Sequence, residues 1–420
     1  MIADTQNAVQ LSKRDNINLM KRNLIYIYVI IALCLLACSS IGIPNTYGLF
    51  YQPLSKILNV GKALATLHVS IAGLATGFFS PLIVKALKKV SYKTIMISGI
   101  AMLCISGYVI ATTQNLLMVN IMGVFRGIGL ACTSGVIITI LTGNWFLARR
   151  GTISGLIMSF SGIMGSMFSP VVSTMLENYG FKNAYLICVA IMLILALPSV
   201  FIPLRPEDIE MEAYGHDRLD IQDKDSYNGY FELSFTGKAF LALMSTSFLV
   251  ICVTTLTSYL PSYVESLNQS ARNGAALLSA SMIGNVLFKF LIGICIDRKG
   301  VFFSFVSFMS ISFIGLIVIT FIPQNTGLLM MAGVLYGACY AVNKVAVPLT
   351  VRIFFGDKKY GEAYSVLSLS ENIARSAIIT SIGFIYDQSG SYLICFLIAL
   401  FASLASSAMM IYQHRKLGQK

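Results

Sequence analysis

Long runs of apolar residues recur along the chain from one end to the other. Each run is about 20 residues or longer, the length that an α-helix needs to cross the hydrocarbon core of a bilayer. Hydrophobic residues make up 56% of the sequence and charged residues only 11%, whereas a soluble domain carries about 25% charged residues. The pattern excludes a soluble globular domain and predicts an all-α membrane protein. The twelve predicted spans, numbered 1 to 12 in order, are residues 24–47, 63–84, 94–113, 116–140, 152–174, 183–203, 238–263, 274–296, 303–322, 327–350, 362–385 and 391–412.

The formal net charge of +12 would suit a nucleic-acid partner, so the placement of the basic residues decides what it means. Most of them lie before span 1, after span 12, or in the loops that follow spans 2, 4, 8 and 10. By the positive-inside rule, both termini and the long middle loop are predicted to be cytoplasmic, in an inner or plasma membrane. The predicted partner is therefore the lipid bilayer and not a nucleic acid. The opposite loops offer only Lys56, Lys62, Lys182 and Arg272, against Lys13, Arg14, Lys21, Arg22, Lys85, Lys88, Lys89, Lys93, Arg149, Arg150, Arg298, Lys299, Arg352, Lys358, Lys359, Arg415 and Lys416.

The second half of the chain repeats the first at a shift of about 210 residues, a sign of an internal duplication. The two copies are an even number of crossings apart, so we predict that they share one orientation and are related by an axis along the membrane normal. A polar segment with nine of the chain's eighteen acids separates them. The predicted domains are an N-terminal six-helix bundle over residues 1–203, a cytoplasmic linker over 204–237 and a C-terminal six-helix bundle over 238–420. The repeated glycines are the pairs Gly123 and Gly333, Gly127 and Gly337, Gly151 and Gly361, and Gly180 and Gly390.

The loop after span 8 contains Asp297, Arg298 and Gly300 in a spacing that resembles the inter-helix loop signature of the major facilitator superfamily. The equivalent loop of the first half keeps Lys89 but has Lys88 where that family usually has an acid. The resemblance implies that Asp297, Arg298, Gly300 and Lys89 take part in conformational change.

Arg126, in the middle of span 4, is similar to the span 4 arginine motif of the same superfamily. Three further stretches resemble its branch of monocarboxylate porters and oxalate:formate antiporters. The resemblance implies the major facilitator fold, with twelve transmembrane helices in two pseudo-symmetric bundles. It also implies secondary active transport by alternating access, and not an enzyme. The three stretches are residues 47–53, residues 144–146 with 149–151, and residues 355–361.

Ionisable side chains near the centre of a bilayer cost about 2.5–3.5 kcal/mol each on insertion scales, so those that remain are candidates for function. Away from the span ends, the predicted spans contain four cations and one acid. If the acid neutralises one cation, an excess of about three positive charges remains, which predicts an anionic substrate. These residues are Arg126, Lys289, Lys344, Arg375 and Glu371, together with the histidine His68.

Span 8 places Asn285 and Lys289 one turn apart, on the same face of a helix. In the branch that the chain resembles, a basic residue of span 8 holds the substrate carboxylate, which implies the same role for Lys289. Many relatives have an arginine there, whose fork binds a carboxylate in a bidentate manner, whereas a lysine acts as a point charge. The alternative is that Lys289 extends its ammonium group to the cytoplasmic interface.

Span 10 carries Tyr336, Tyr340 and Lys344 at i, i+4 and i+8, which places them on one stripe of the helix. Two phenol hydroxyls and an ammonium group on that stripe could hydrogen-bond an organic anion. The alternative is a stripe that packs against a neighbouring helix, with Lys344 reaching the inner interface.

Span 11 carries Glu371 and Arg375 at i and i+4, a spacing that allows them to pair on the helix surface. Alternatively, a protonated Glu371 would free Arg375 for the substrate, which makes Glu371 a candidate for proton coupling. His68 is a second candidate, because a histidine changes charge near physiological pH, although a satisfied polar contact is the other interpretation. Arg126 is a candidate for the substrate site together with Asn45 of span 1, or for a structural role.

The charge pattern predicts secondary active transport of a small organic anion, a monocarboxylate or short dicarboxylate, by proton symport or by anion exchange. Two alternatives stay open: efflux of a drug-like or amphipathic compound by the same fold, and a non-transporting membrane sensor. The sequence contains no phosphate-binding loop, paired-cysteine metal site or nucleophile elbow, so we expect no catalytic site, metal or cofactor. We expect the chain to function as a monomer.

Overall fold

The computed structural model describes residues 22–133, 135–215, 229–269 and 271–417. Within these ranges the chain is helical almost throughout, and the only β-type pairing is an isolated bridge between Phe146 and Tyr214. The basic residues Lys13, Arg14 and Lys21 of the predicted topology lie outside the described residues.

The helices of the first half match spans 1 to 6. Span 1 is not a single regular helix, because its α-helix over residues 22–37 continues as a π-helix and then as a 3₁₀-helix. Spans 5 and 6 follow each other without a loop in one helical segment, Arg150–Val200, which is kinked at Gly180. The bounds after residues 22–37 are Cys38–Gly42 (π), Ile43–Phe50 (3₁₀), Tyr51–Leu58, Lys62–Ala86, Tyr92–Thr112, Leu116–Thr133, Gly135–Trp145, Arg150–Val200 and, in the linker, Pro206–Ile209 (3₁₀).

The helices of the second half match spans 7 to 12. Span 10 is also irregular, because it passes through a short α-helix and a π-helix before it continues as an α-helix. The bounds are Lys238–Thr255, Leu256–Tyr259 (3₁₀), Leu260–Ser266, Ala271–Lys299, Val301–Phe321, Thr326–Tyr336, Ala338–Ala341, Val342–Ala346 (π), Val347–Ser389 and Leu393–Leu417.

The described residues contain eleven helical runs that are long and apolar enough to cross a membrane. One of them, Thr326–Tyr386, has 61 residues, about three times the length that a single crossing needs. Gly356 interrupts this run with a φ of +71°, a left-handed conformation that glycine adopts without steric cost. The run therefore contains two crossings, spans 10 and 11, and the predicted fold of twelve transmembrane helices is confirmed.

The two halves are built alike. The 3₁₀-helix Ile43–Phe50 of span 1 has its counterpart in Leu256–Tyr259 of span 7, at the equivalent position of the repeat. A Cβ added at Gly127 of span 4 would lie 2.5 Å from the carbonyl oxygen of Ala72 in span 2. Gly337 of span 10 faces the carbonyl oxygen of Ser281 in span 8 in the same way. The pseudo-symmetry inferred from the sequence is thus visible in how equivalent helices pack.

The loops that join spans 2 and 3, 4 and 5, 8 and 9, and 10 and 11 meet on one face of the molecule. We call this the basic face and define it as residues 87–91, 146–152, 297–300 and 352–362. Lys88 forms an ion pair with Glu362 there, so loops of the two halves touch directly. Below this face, span 5 packs closely on span 8, since a Cβ at Gly151 would lie 2.6 Å from the Gly293 carbonyl oxygen.

The two described ends of the linker are each hydrogen-bonded to the basic face. The carbonyl of Tyr214 accepts from the amide of Leu147 at 2.9 Å, in the first half. The amide of Phe231 donates to the carbonyl of Phe354 at 2.8 Å, in the second half. The linker is therefore anchored beside the span 4 to span 5 loop at one end and beside the span 10 to span 11 loop at the other.

Candidate functional site: a cavity between the two halves

A cavity of about 260 Å³ lies between the two halves of the molecule, close to the lower limit of about 300 Å³ that is usual for small-molecule pockets. Spans 1 and 5 of the first half and spans 8, 10 and 11 of the second half form its walls. Seven of the residues predicted from the sequence lie together on these walls. The lining residues are Ile41, Asn45, Met158, Ser161, Asn285, Lys289, Tyr340, Lys344, Ser368, Glu371, Asn372 and Arg375.

Two π-helices contribute to the cavity, one from each half. Ile41 belongs to the π-helix Cys38–Gly42 and Lys344 to the π-helix Val342–Ala346. A π-helical turn carries an extra residue, which shifts the face that the following side chains present, and such turns occur frequently at functional sites. The irregular backbone of spans 1 and 10 is therefore concentrated where the two halves face the cavity.

Lysine 289 lies inside the protein and does not extend to the membrane interface. Its side chain is 4% exposed, and its Nζ donates to the carbonyl oxygen of Met158 in span 5 at 3.4 Å. Asn285, one turn away, lines the same cavity. Its side-chain oxygen is buried with no hydrogen-bond partner. The structure thus contradicts the alternative that Lys289 extends to the interface.

Glu371 does not pair with Arg375. Among the described residues no ion pair joins the two side chains, and the carboxylate of Glu371 instead accepts a hydrogen bond from the hydroxyl of Ser247 in span 7. The i, i+4 pairing that the spacing allowed is therefore not formed. Arg375, Lys289 and Lys344 together give the cavity three cations against this single acid.

The tyrosine stripe of span 10 divides into a cavity residue and a packing residue. Tyr340 lines the cavity and its hydroxyl donates to the carbonyl of Thr254 at 3.4 Å. Tyr336 is fully buried and lies outside the cavity. Its hydroxyl donates to the carbonyl of Val253 at 2.5 Å and accepts from Thr257 at 3.1 Å, so span 7 already satisfies it. The packing interpretation therefore fits Tyr336, and Tyr340 stays a candidate for the substrate site.

Arg126 lies in the core of the first half and does not line the cavity. Its guanidinium carbon is 3.9 Å from the centre of the Tyr47 ring, and its Nη1 donates to the hydroxyl of Tyr185 at 3.2 Å. His68 also lies away from the cavity, where its Nδ1 is 2.8 Å from the carbonyl oxygen of Ala65. Asn45 is the one candidate from spans 1 to 4 whose side chain reaches the cavity.

The loop residue Asp297 ties the halves together at the basic face. Its two carboxylate oxygens accept from the backbone amides of Gly151 and Thr152, each at 2.7 Å. These amides belong to the first turn of the helix that contains span 5, where unpaired N–H groups and the helix dipole favour a carboxylate. Arg298 and Lys89 are exposed on the same face, and Gly300 begins span 9 with a φ of +81°.

The basic face contains an ionic cluster that was not predicted from the sequence. Asp357 lies 2.9 Å from Nη2 of Arg150 and 2.6 Å from Nη1 of Arg352. In the sequence the two arginines indicated only the orientation of the chain in the membrane, because a cation in a loop is normally solvated.

The uncharged residues Ser161, Ser368 and Asn372 of the central cavity were also not predicted. The spacing of Ser368 and Asn372, one turn apart on the helix that carries Glu371 and Arg375, was the only available signal.

Comparison with known proteins supports a transporter. A family model described as Major Facilitator Superfamily matches residues 29–379 and 243–418. Monocarboxylate transporter 12 of Rattus norvegicus is 24% identical over 323 residues, which are 69% of this chain and 64% of that protein. Monocarboxylate transporter 2 of Meriones unguiculatus is 26% identical over 156 residues, or 37% of this chain and 32% of that protein. This chain spans less than two thirds of the length of these relatives.

Solved structures with the same architecture transport different substrates. The outward conformation of FucP, the fucose:proton symporter of E. coli, gives a TM-score of 0.70 at 17% identity and covers 93% of this chain and 99% of its own. The human organic anion transporter MFSD10 (TETRAN) gives a TM-score of 0.69 at 13% identity, with the same coverage of 93% and 99%. At such low identities these similarities show the fold alone. The family match across both halves and the twelve-helix fold agree: this chain belongs to the major facilitator superfamily.

Proposed function

We propose that this chain is a secondary active transporter of a small organic anion, either a monocarboxylate or a short dicarboxylate. The observation that carries the proposal is the charge of the central cavity. Lys289, Lys344 and Arg375 line it with a single acid, Glu371. Each buried cation is costly without a counter-charge, and an anionic substrate would supply that charge while it occupies the cavity.

The other substrate classes fit this cavity less well. A lipophilic cation, which many efflux proteins carry, would meet a net positive charge on entering. A neutral sugar would leave the ammonium groups of Lys289 and Lys344 without a counter-ion. The names of two curated relatives, both monocarboxylate transporters, point to the same class as the charge does.

The lining residues can divide the work of binding a carboxylate. The guanidinium group of Arg375 offers a planar fork that can hold both carboxylate oxygens, whereas Lys289 acts as a point charge. Ser161, Ser368 and Asn372 add uncharged donors that can hydrogen-bond the rest of the substrate. A cavity of about 260 Å³ suits a molecule of a few carbon atoms.

Alternating access would proceed by rocking of the two halves around this cavity. The contacts of Asp297 with the first turn of span 5 and the ion pair of Lys88 with Glu362 hold the basic face closed. Breaking them would open the cavity on that side. We propose that the basic face and both termini are cytoplasmic and that the chain works as a monomer in a cell membrane, since one chain supplies all the lining residues.

The test is uptake and counterflow in proteoliposomes with a panel of radiolabelled carboxylates, including pyruvate, lactate, formate and oxalate. We expect at least one to be carried and to exchange with the same anion loaded inside. Acceleration by an imposed proton gradient would indicate symport, and acceleration only by internal anion would indicate exchange. If no carboxylate moves, and the substrate that does move is unaffected by Lys289→Gln, the anion proposal is wrong.

A further inference from the structure

A second and much smaller cavity lies between the central cavity and the basic face. Its volume is about 10 Å³, room for roughly one water molecule. Three of its lining residues are cations, namely Arg150, Arg352 and Lys344, and none of its lining residues is acidic. Thr139, Ser154 and Tyr360 add hydroxyl groups to its wall. This combination of cations and hydroxyl donors is the chemistry of an anion site.

A carboxylate of the protein already lies against these arginines. One oxygen of Asp357 is 2.6 Å from Nη1 of Arg352, and the other is 2.9 Å from Nη2 of Arg150. Arg150 comes from the first half of the molecule and Arg352 from the second. Asp357 therefore holds the two halves together in the way that any carboxylate bound between the two arginines would.

Arg352 keeps its position through contacts that do not involve Asp357. Its side chain is buried, its Nη2 donates to the carbonyl of Thr139 at 3.0 Å, and its guanidinium carbon lies 4.1 Å from the centre of the Tyr360 ring. The guanidinium group occupies the space that a side chain at Gly143 would need. Such pre-organisation means that the cation stays in place when its carboxylate leaves.

Arg150 is held in a similar way. Its Nε donates to the carbonyl of Phe146 at 2.8 Å, and its Nη2 donates to the carbonyl of Gly143 at 3.1 Å. Both arginines are thus anchored to the end of span 4, and each of them forms an ion pair with Asp357.

We propose that Arg150, Arg352 and Lys344 form a second anion-binding site, the gate site, and that Asp357 is its resident occupant while the basic face is closed. Lys344 lines both cavities, so an anion that leaves Lys289 and Arg375 can reach the gate site without losing contact with a cation. When its carboxylate displaces that of Asp357, the ionic link between the halves breaks on the side where the anion must leave. The identity of this anion as a carboxylate rests on the proposed function.

The chain's single tryptophan provides the test. Trp145 directly precedes Phe146, whose carbonyl holds Arg150; it is fully buried and donates from its indole to the carbonyl of Pro203. The probe is iodide, an anion that quenches tryptophan fluorescence and need not be a transport substrate, added to the full-length chain in nanodiscs. We expect weak, linear quenching in the native protein and saturable quenching in Asp357→Asn, where the two arginines no longer have a carboxylate of the protein as their counter-charge. Adding Arg352→Gln should raise the half-saturating iodide concentration at least about tenfold, the effect of losing one charged hydrogen-bond partner.

Neutral acrylamide separates binding from mere opening. If acrylamide quenching rises in Asp357→Asn in proportion to iodide quenching, the substitution has only exposed Trp145 and the gate site is refuted. Equal, linear iodide quenching in the native protein, Asp357→Asn and Asp357→Ala also refutes the gate site. The alanine variant is included so that the test still holds if Asp357→Asn fails to fold. Pyruvate that competes with iodide in Asp357→Asn would identify the anion as a carboxylate. Lys289→Gln keeps the two proposals apart, since it should lower kcat/KM for carboxylate uptake about 100-fold while leaving saturable quenching intact in the Asp357→Asn background.

Discussion

Buried cations occur in both halves of the molecule, but they have opposite surroundings. In the first half, Arg126 is enclosed by aromatic residues, with Tyr47 against its face and Tyr185 as hydrogen-bond partner. In the second half, Lys289 and Arg375 border an open cavity. The sequence presents the same feature four times, a cation inside an apolar span, at Arg126, Lys289, Lys344 and Arg375. What separates them is whether the neighbouring side chains fill the space around the charge or leave room for a ligand.

This difference assigns different roles to the two halves. In the first half, Arg126 is packed among aromatic side chains, and this half contributes only uncharged residues to the central cavity, such as Asn45 and Ser161. The second half supplies the charge. The following predictions test this division by measuring how each substitution changes substrate affinity, from the greatest effect to the least.

The greatest effect is expected for Lys289→Gln. It removes a charged partner of the substrate, an interaction of about 1.5–3 kcal/mol, so kcat/KM for carboxylate uptake should fall about 100-fold. The measurement is initial uptake in proteoliposomes as a function of substrate concentration. Lys182→Gln, at an exposed lysine of the loop between spans 5 and 6, is the matched control and should be unchanged. Equal losses in the two variants would argue against a substrate role for Lys289.

An intermediate effect is expected for Glu371→Gln. Without a group that can gain and lose a proton beside Arg375, uptake driven by a proton gradient should fall about tenfold, or roughly 1.4 kcal/mol. Counterflow at equal pH on both sides should persist, because exchange needs no net proton movement. Glu177→Gln, at an exposed acid, serves as the control. Full proton-driven uptake by Glu371→Gln would exclude Glu371 from coupling.

The two tyrosines of span 10 should separate affinity from stability. Tyr340→Phe removes a hydroxyl from the cavity wall and should raise KM about fivefold, the equivalent of one hydrogen bond of roughly 1 kcal/mol. Tyr336→Phe should leave KM unchanged and lower the thermal unfolding midpoint, because Thr257 and the Val253 carbonyl lose their buried partner. KM and thermal unfolding measured on the same preparations decide between the two roles. A raised KM in Tyr336→Phe would contradict the packing role and indicate that Tyr336 contacts the substrate.

The least effect on affinity is expected at Arg126. Arg126→Gln removes a cation held over an aromatic ring, a contact that contributes about 2 kcal/mol when desolvated. It should therefore lower the thermal unfolding midpoint while KM stays within about twofold of the native value, a change of under roughly 0.5 kcal/mol. Arg126→Lys, which keeps the charge, should recover part of the stability. A strong rise of KM in Arg126→Gln with unchanged stability would show that a cation of the first half also contributes to substrate binding, which contradicts the proposed difference between the halves.

Much of the fold could be predicted from the sequence because the bilayer imposes a simple rule. Every spanning segment must satisfy its own backbone hydrogen bonds within an apolar helix of sufficient length, so hydropathy alone located the twelve spans. The repeated glycines were informative for a related reason: Gly127 and Gly337 allow equivalent helix pairs to approach closely. The irregular turns Cys38–Gly42 and Val342–Ala346 could not be predicted, since neither contains a proline that would mark a break in the helix.

The sequence by itself determined the class of the protein, its duplicated architecture and the identity of its intramembrane charges, because a charge in an apolar span is conspicuous in any context. Only the tertiary structure decided which charges share a cavity. Lys289, Lys344 and Arg375 come from three different helices. No local sequence pattern predicts that these three line one cavity while Arg126 lies outside it. The same holds for Asp357, whose two arginine partners come from opposite halves. Contacts between distant segments depend on how the helices pack, and that packing is a property of the whole chain.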